Sequence, residues 1–341
     1  MKVGDMYFAG IGAAEVGVVD IAEAVERGWY DAGEAARSKL VSITAAGSTP
    51  APDLAVSAAE RAVAAAGLCA EEFAFVFHTN VHPQGPDGWS AQHYINRRTI
   101  DQPVPSVEIR NGCIGFLSSL QLAVANLRTT PDRGAALLTC ADNFGTPSVD
   151  RWTASSLFVL ADGGGALVLS NTGGFARLLA IGSLSAPELE ERHRSGEPMF
   201  PPGLTDGRTL NFEERMADFQ RRVTEGLLRP RNDFGSVVID TVERVLKEAD
   251  TSLSEITRVV HDGFAYWSLH DLFLDPLGIG LDRGVWEFTR TVGHAGPLDQ
   301  IRGLEYLWRT GQLAVGDTVL MFTGAPGMEA AAAVIRIESS R

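Results

Sequence analysis

Three segments of this chain recur in the same order at a nearly constant offset, and this repeat constrains the fold more than any other feature of the sequence. In the first, Glu60-Arg61 and Glu243-Arg244 each sit in an apolar stretch of helical periodicity. A short acidic loop and an apolar strand follow, Phe73–Phe77 in one copy and Ile256–Val260 in the other, and each strand ends in a histidine, His78 or His261. The second reads G-(C/H)-x-G-x-L, as Gly112-Cys113-Ile114-Gly115-Phe116-Leu117 and Gly293-His294-Ala295-Gly296-Pro297-Leu298, each copy opening a helix. The third is a glycine turn feeding a buried strand, Gly134–Cys140 and Gly316–Phe322. One match is chance; three in register imply two similar halves, 1–172 and 173–341. A chain of 341 residues has room for two domains and a core that needs no staples. The second half carries an extra polar stretch, 188–231, with Pro201-Pro202-Gly203 and a charged helix-like run, Glu213–Arg222. It reads as an excursion that covers a site.

Strands and helices alternate. Strands are expected at Met6–Ile11, Phe73–His78, Ala135–Ala141 and Gly165–Ser170, and helices at Pro52–Ala66 and Gly112–Leu127. The class is therefore a layered α/β fold. Forty-three acidic against 29 basic residues leave a net charge of −14, which argues against nucleic acid as a partner. The three cysteines, Cys69, Cys113 and Cys140, fit no disulfide framework, so a reducing cytoplasm is the expected setting. No signal peptide is read at the N-terminus. No apolar run approaches the ~20 residues of a membrane span.

Duplicated halves pack about a pseudo-dyad, so equivalent positions face each other, and Cys113 is expected to approach His294. A thiol at a helix N-terminus feels the positive end of the dipole, which favours thiolate. The flanking glycines let a substrate come close. Cys69 and Cys140 read instead as buried core thiols. His294 is placed to take the thiol's proton or that of an acceptor. Asp299, five residues on and after Pro297, has two readings of equal weight: a carboxylate that orients the imidazole, or one favoured by the helix start. His261 suits a polarising or positioning role, whereas His78 reads as a histidine satisfied in a turn. The segment Thr323–Gly327 follows a buried strand, and the N–H groups of Gly324 and Ala325 with that of Cys113 would make an oxyanion hole. There is no H-E-x-x-H, Walker or Cys-x-x-Cys motif, so no metal is expected.

These residues resemble the thiolase superfamily, and within it the ketoacyl synthase III group. The resemblance is carried by Asn111–Phe116, Asp150-Arg151, Ala161–Ala166, His261 and Val292-Gly293-His294, and it covers nearly the whole chain. It implies a thiolase fold of duplicated βαβαβαββ halves in a five-layered αβαβα sandwich, a homodimer, and an acyl-cysteine intermediate. No cofactor is implied; the donor is a thioester of coenzyme A or of acyl carrier protein, whose phosphopantetheine arm is part of the substrate. Trp29 and Arg151 fall near positions that contact the coenzyme A end in related enzymes.

Two departures bear on the reaction. Condensing members carry His-Gln-Ala-Asn where this chain has His261-Asp262-Gly263-Phe264, and Gly-Asn-Thr-Ser where it has Gly293-His294-Ala295-Gly296. A Cys–His–Asp set is similar to that of the synthase III-like acyltransferases of antibiotic and polyketide pathways, which join the acyl group to oxygen, nitrogen or a carrier protein. Decarboxylative condensation makes its own carbanion, whereas transfer to a hydroxyl needs a base backed by a carboxylate. The expectation is a ping-pong acyltransferase with a small-molecule or carrier-protein acceptor. Its rivals are a condensing enzyme with a Cys113–His261–His294 set, a non-catalytic partner that gates starter-unit choice, and a hydrolase. Arg221, Arg222, Arg229 and Arg231 read as a solvated helix face or as a patch for an acidic carrier protein.

Overall fold

Among the described residues, eleven strands take up the apolar runs: β1 (Lys2–Ala13), β2 (Gly17–Asp20), β3 (Ser42–Ala45), β4 (Phe73–Thr79), β5 (Ser106–Ile109), β6 (Ala135–Asp142), β7 (Gly163–Ser170), β8 (Ala176–Ser185), β9 (Arg258–Val260), β10 (Thr318–Ala325) and β11 (Glu329–Ile337). The computed structural model describes residues 1–130, 133–325 and 328–340. β4, β6, β7 and β10 are buried along their whole length. Strands covered on both faces need continuous rather than alternating apolar sequence, which is what these four have.

Apart from the antiparallel pair β2–β3, the strands lie in the order β5-β4-β6-β7-β1-β8-β11-β10-β9. From β4 inward the order is β4, β6, β7, β1; from the opposite edge it is β9, β10, β11, β8. The first step in each series is parallel and the next two are antiparallel. The repeated segments thus occupy matching places about the central antiparallel joint of β1 and β8.

The longer helices are α1 (Ala51–Ala66), α2 (Ala91–Arg98), α3 (Gly115–Leu127), α4 (Phe212–Thr224), α5 (Phe234–Glu248) and α6 (Leu298–Arg309). α1 packs on β1, β6 and β7, and α5 on β8, β10 and β11. Between the strand groups lie α3, which touches β4 and β6 on one side and β8 and β11 on the other, and α6, which touches β1 and β7 as well as β9 and β10. The layering is αβαβα. Among the described residues no helix is long and apolar enough to cross a membrane.

The expected helix from Gly112 begins instead with a 3₁₀ turn, Gly112–Ile114, and becomes α-helical at Gly115. Cys140 is buried in β6, but Cys69, read as a core thiol, is exposed. In the segment Thr323–Gly327 the strand runs through Ala325, and Pro326 and Gly327 lie outside the described residues.

Candidate active site

The two copies of the G-(C/H)-x-G-x-L motif build the centre of the molecule. Gly112 and Gly293 have φ of +53° and +71°, a left-handed conformation that glycine adopts without a Cβ clash. Each turns the chain sharply into a helix of the middle layer, α3 or α6. The residue after each glycine therefore sits where those helices begin, and Cys113 Sγ lies 3.1 Å from His294 Nε2.

The imidazole is held from every side. Its backbone N–H donates to Val159 O at 3.0 Å and its carbonyl accepts from Ala161 at 2.8 Å. Phe158 and Phe264 flank the ring at 4.7 and 4.8 Å between centroids. Nδ1 meets Asp299 Oδ2 at 2.6 Å. Asp299 in turn accepts from the N–H groups of Gly263 (2.7 Å) and Ala295 (3.0 Å) and from the Arg302 guanidinium (2.8 Å). The geometry accommodates both readings from spacing: Asp299 lies in the first turn of α6, and its carboxylate meets the imidazole. Gly296, with φ +62°, bends the chain back so that five residues bring the carboxylate to the ring.

Burial alone would raise the Asp299 carboxyl, but Arg302 and His294 outweigh it and hold the group down at about 2. Burial likewise opposes the imidazolium, yet the Cys113 and Asp299 charges hold His294 well above the ordinary histidine value. For Cys113 burial dominates and pushes the thiol up, with His294 pulling the other way. Burial thus disfavours the thiolate on balance, and the His294 imidazole is the neighbour that opposes it.

His261 does not join this group. Its Nδ1 lies 2.9 Å from the Asp262 carbonyl and its Nε2 accepts from Val285 N–H at 3.1 Å, so neither nitrogen is left to polarise a substrate. Burial pushes its pKa down from 6.5 to about 4. The folded ring stays neutral while the unfolded one takes a proton below about pH 6.5. Its contribution is therefore intact above pH 6.5 and is lost as pH falls toward 4. Between pH 5.5 and 4.5 the stability difference between wild type and His261→Gln should shrink by about 1.4 kcal/mol, measured by urea unfolding at the two pH values.

The neighbouring Asp262, not singled out from sequence, is in the site. It accepts from Thr323 Oγ1 at 2.9 Å and lies 3.3 Å from Gln300 Nε2. Its carboxyl lies within 4.8 Å of ring or carboxylate atoms of both His294 and Asp299. Burial raises it to about 7 against the pull of His294.

A cavity of about 330 Å³ reaches Cys113. Its walls are largely apolar, with Phe158, Phe212, Phe234, Phe264 and Phe273 among its lining residues. Gly324 and Ala325 line it together with Cys113, and Arg192, His193, Phe212 and Met216 bring the 188–231 excursion into it. A Cβ on Gly324 would fall 2.5 Å from the Phe234 ring. Gly324→Ala is expected to cost about 1–3 kcal/mol by overpacking, read from the urea midpoint. Trp29 and Arg151 do not line this cavity. Trp29 is exposed and stacks on Trp152, while Arg151 is pinned at 3.0 Å to the buried Asp162.

The model for 3-oxoacyl-(acyl-carrier-protein) synthase III matches residues 107–183, and the model for its C-terminal region matches 246–337. Among solved structures, ChlB3, described as an acyltransferase, is 38% identical over 98% of both chains with a TM-score of 0.93. Two others share the fold. The synthase III of Aquifex aeolicus VF5 is 18% identical over 97% of this chain and 99% of its own, with a TM-score of 0.77. A solved variant of Xanthomonas campestris OleA is 15% identical over 98% of this chain and 99% of its own, with a TM-score of 0.75. No curated protein matches the chain. The family models fall on the parts that carry the thiol and the imidazole, and one relative is alike along its whole length: the chain belongs to the 3-oxoacyl-(acyl-carrier-protein) synthase III family of the thiolase superfamily.

Proposed function

We propose that this acyl-transferring member of the family works through an acyl-Cys113 intermediate and delivers the acyl group to a hydroxyl or carrier-protein acceptor rather than to carbon. The observation that carries the reading is the continuous chain Cys113–His294–Asp299–Arg302. The Cys113 sulfur attacks the carbonyl carbon of a coenzyme A or carrier-protein thioester. His294 takes the thiol's proton and passes it to the leaving donor thiol as the old carbon–sulfur bond breaks. In the second half, His294 removes the acceptor's proton while the hydroxyl oxygen, or the thiol sulfur of a carrier protein's phosphopantetheine arm, attacks the acyl-cysteine carbonyl, and the proton returns to the departing Cys113 sulfur. Asp299 holds the imidazole in the tautomer both steps need. The N–H groups of Cys113, Gly324 and Ala325 are assigned to the oxyanion. ChlB3, an acyltransferase by its description, supports transfer as the reaction class.

A condensing enzyme with a Cys–His–His set finds less support, because the His261 ring is bound to backbone on both sides. Intact-protein mass after mixing with a panel of acyl thioesters tests the proposal. Wild type should gain one acyl group and Cys113→Ala none. No gain from any coenzyme A or carrier-protein thioester would sink the covalent step. Release of carbon dioxide from a malonyl thioester would favour condensation.

A further inference from the structure

The cavity has a second polar end. From His294 the aromatic wall runs through Phe158 (4.7 Å), then Phe212 (6.2 Å), to His193 (5.5 Å). Beside His193 stands Arg192, whose described hydrogen bond goes to a thioether, Met216 Sδ, at 3.0 Å. The other arginines nearby, Arg194, Arg208, Arg215, Arg221 and Arg222, each hold a carboxylate; Arg192 holds none among the described residues. Two carboxylates also line the cavity, but Asp233 caps α5 through Ser236 and Asp271 faces His270. His193 has a buried Nδ1 with no hydrogen-bond partner, and burial with the adjacent Arg192 charge keeps its ring neutral, with a pKa of about 4. The half-buried Arg192 guanidinium thus presents donors to the cavity with no carboxylate partner, and the buried imidazole nitrogen beside it costs free energy unless a ligand meets it.

We propose that Arg192 and His193 recognise the far end of the acyl group, and that the acyl group carried on Cys113 has a ring-sized apolar body ending in a hydrogen-bond-accepting oxygen, a hydroxyl or a carboxylate. The proposal rests on the acyl-Cys113 reading. The aromatic walls take the body, the thioester faces the thiol, and Arg192 donates to the terminal oxygen.

The test uses N-acetylcysteamine thioesters of benzoate, 3-hydroxybenzoate and isophthalate (mono-thioester), with the acetyl thioester as a tail-less control. The acylation rate of the full-length protein is read by intact mass. Wild type should react at least about tenfold faster with one oxygen-bearing ring than with benzoyl. Whichever of the two leads identifies a neutral or an ionised terminus. In Arg192→Met the ratio should fall to near one, and Arg192→Lys should keep part of it, with thermal midpoints showing that both variants are folded. Equal rates for all three rings in wild type, or an undiminished ratio in Arg192→Met, would overturn the assignment while leaving acylation of Cys113 standing. If no thioester acylates Cys113, the acyl-cysteine reading falls and takes this one with it.

Discussion

His294→Ala should lower acyl transfer to an alcohol acceptor by about 10³- to 10⁴-fold, the range spanned by the loss of a positioned base. The ring is fully buried between Phe158 and Phe264, and both nitrogens of the other strand-end histidine, His261, are taken by backbone. In the proposed mechanism both half-reactions use the same group, so formation of acyl-Cys113 and its discharge should slow together. Single-turnover mass measurements separate the two steps. A variant that forms the acyl-enzyme at the wild-type rate would show that the thiol is activated by something other than His294.

Asp299→Asn should be at least as damaging to the reaction, by about 10⁴-fold, because the amide cannot hold the imidazole in the same tautomer. Its cost to the fold is separate and large. Arg302 is buried, and its other bonds go to the Gly293 carbonyl and Thr44 Oγ1, both neutral. Removing the carboxylate strands that cation, which should cost about 3–5 kcal/mol. The folded carboxyl titrates at about 2, below its ordinary 3.8. Its stabilisation is therefore complete above about pH 4 and is lost only as pH falls through 2. Across pH 5.5 to 7.5 the carboxylate itself stays ionised, so the difference from wild type in urea unfolding should shrink over this interval only as far as Asp299 helps His294 to hold its proton. A penalty that grows from pH 5.5 to 7.5 would mean the pair is not ionised as described.

The approach of Cys113 and His294 was legible because it follows from the repeat. Matched glycine turns feed matched helices, and both helices lie in the one layer shared by the two strand groups. Asp299 was ambiguous for a reason of geometry. Five residues exceed one helical turn, and only the left-handed Gly296 closes the gap. The choice between His261 and Asp262 shows a different limit. Successive side chains of an extended segment point to opposite faces, so placing the wrong one inward exchanges the residue in the site for its neighbour. Thr323 and Gln300, which meet Asp262, come from distant segments, and nothing local announces them. The partner of Arg151 was equally out of reach, since Asp162 is brought to it by a loop rather than by periodicity.

The mirrored strand order assigns the thiol to one half of the molecule and its base to the other. Their 3.1 Å separation is therefore not a property of either motif but of how α3 and α6 lie against each other. If the pair reacts as proposed, it would act as a gauge spanning the midline, sensitive to a slip between the helices too small to unfold either one. A repacking of the middle layer far from the cavity would be felt first as lost turnover, with melting unchanged, and the chain would stop working before it stopped being folded.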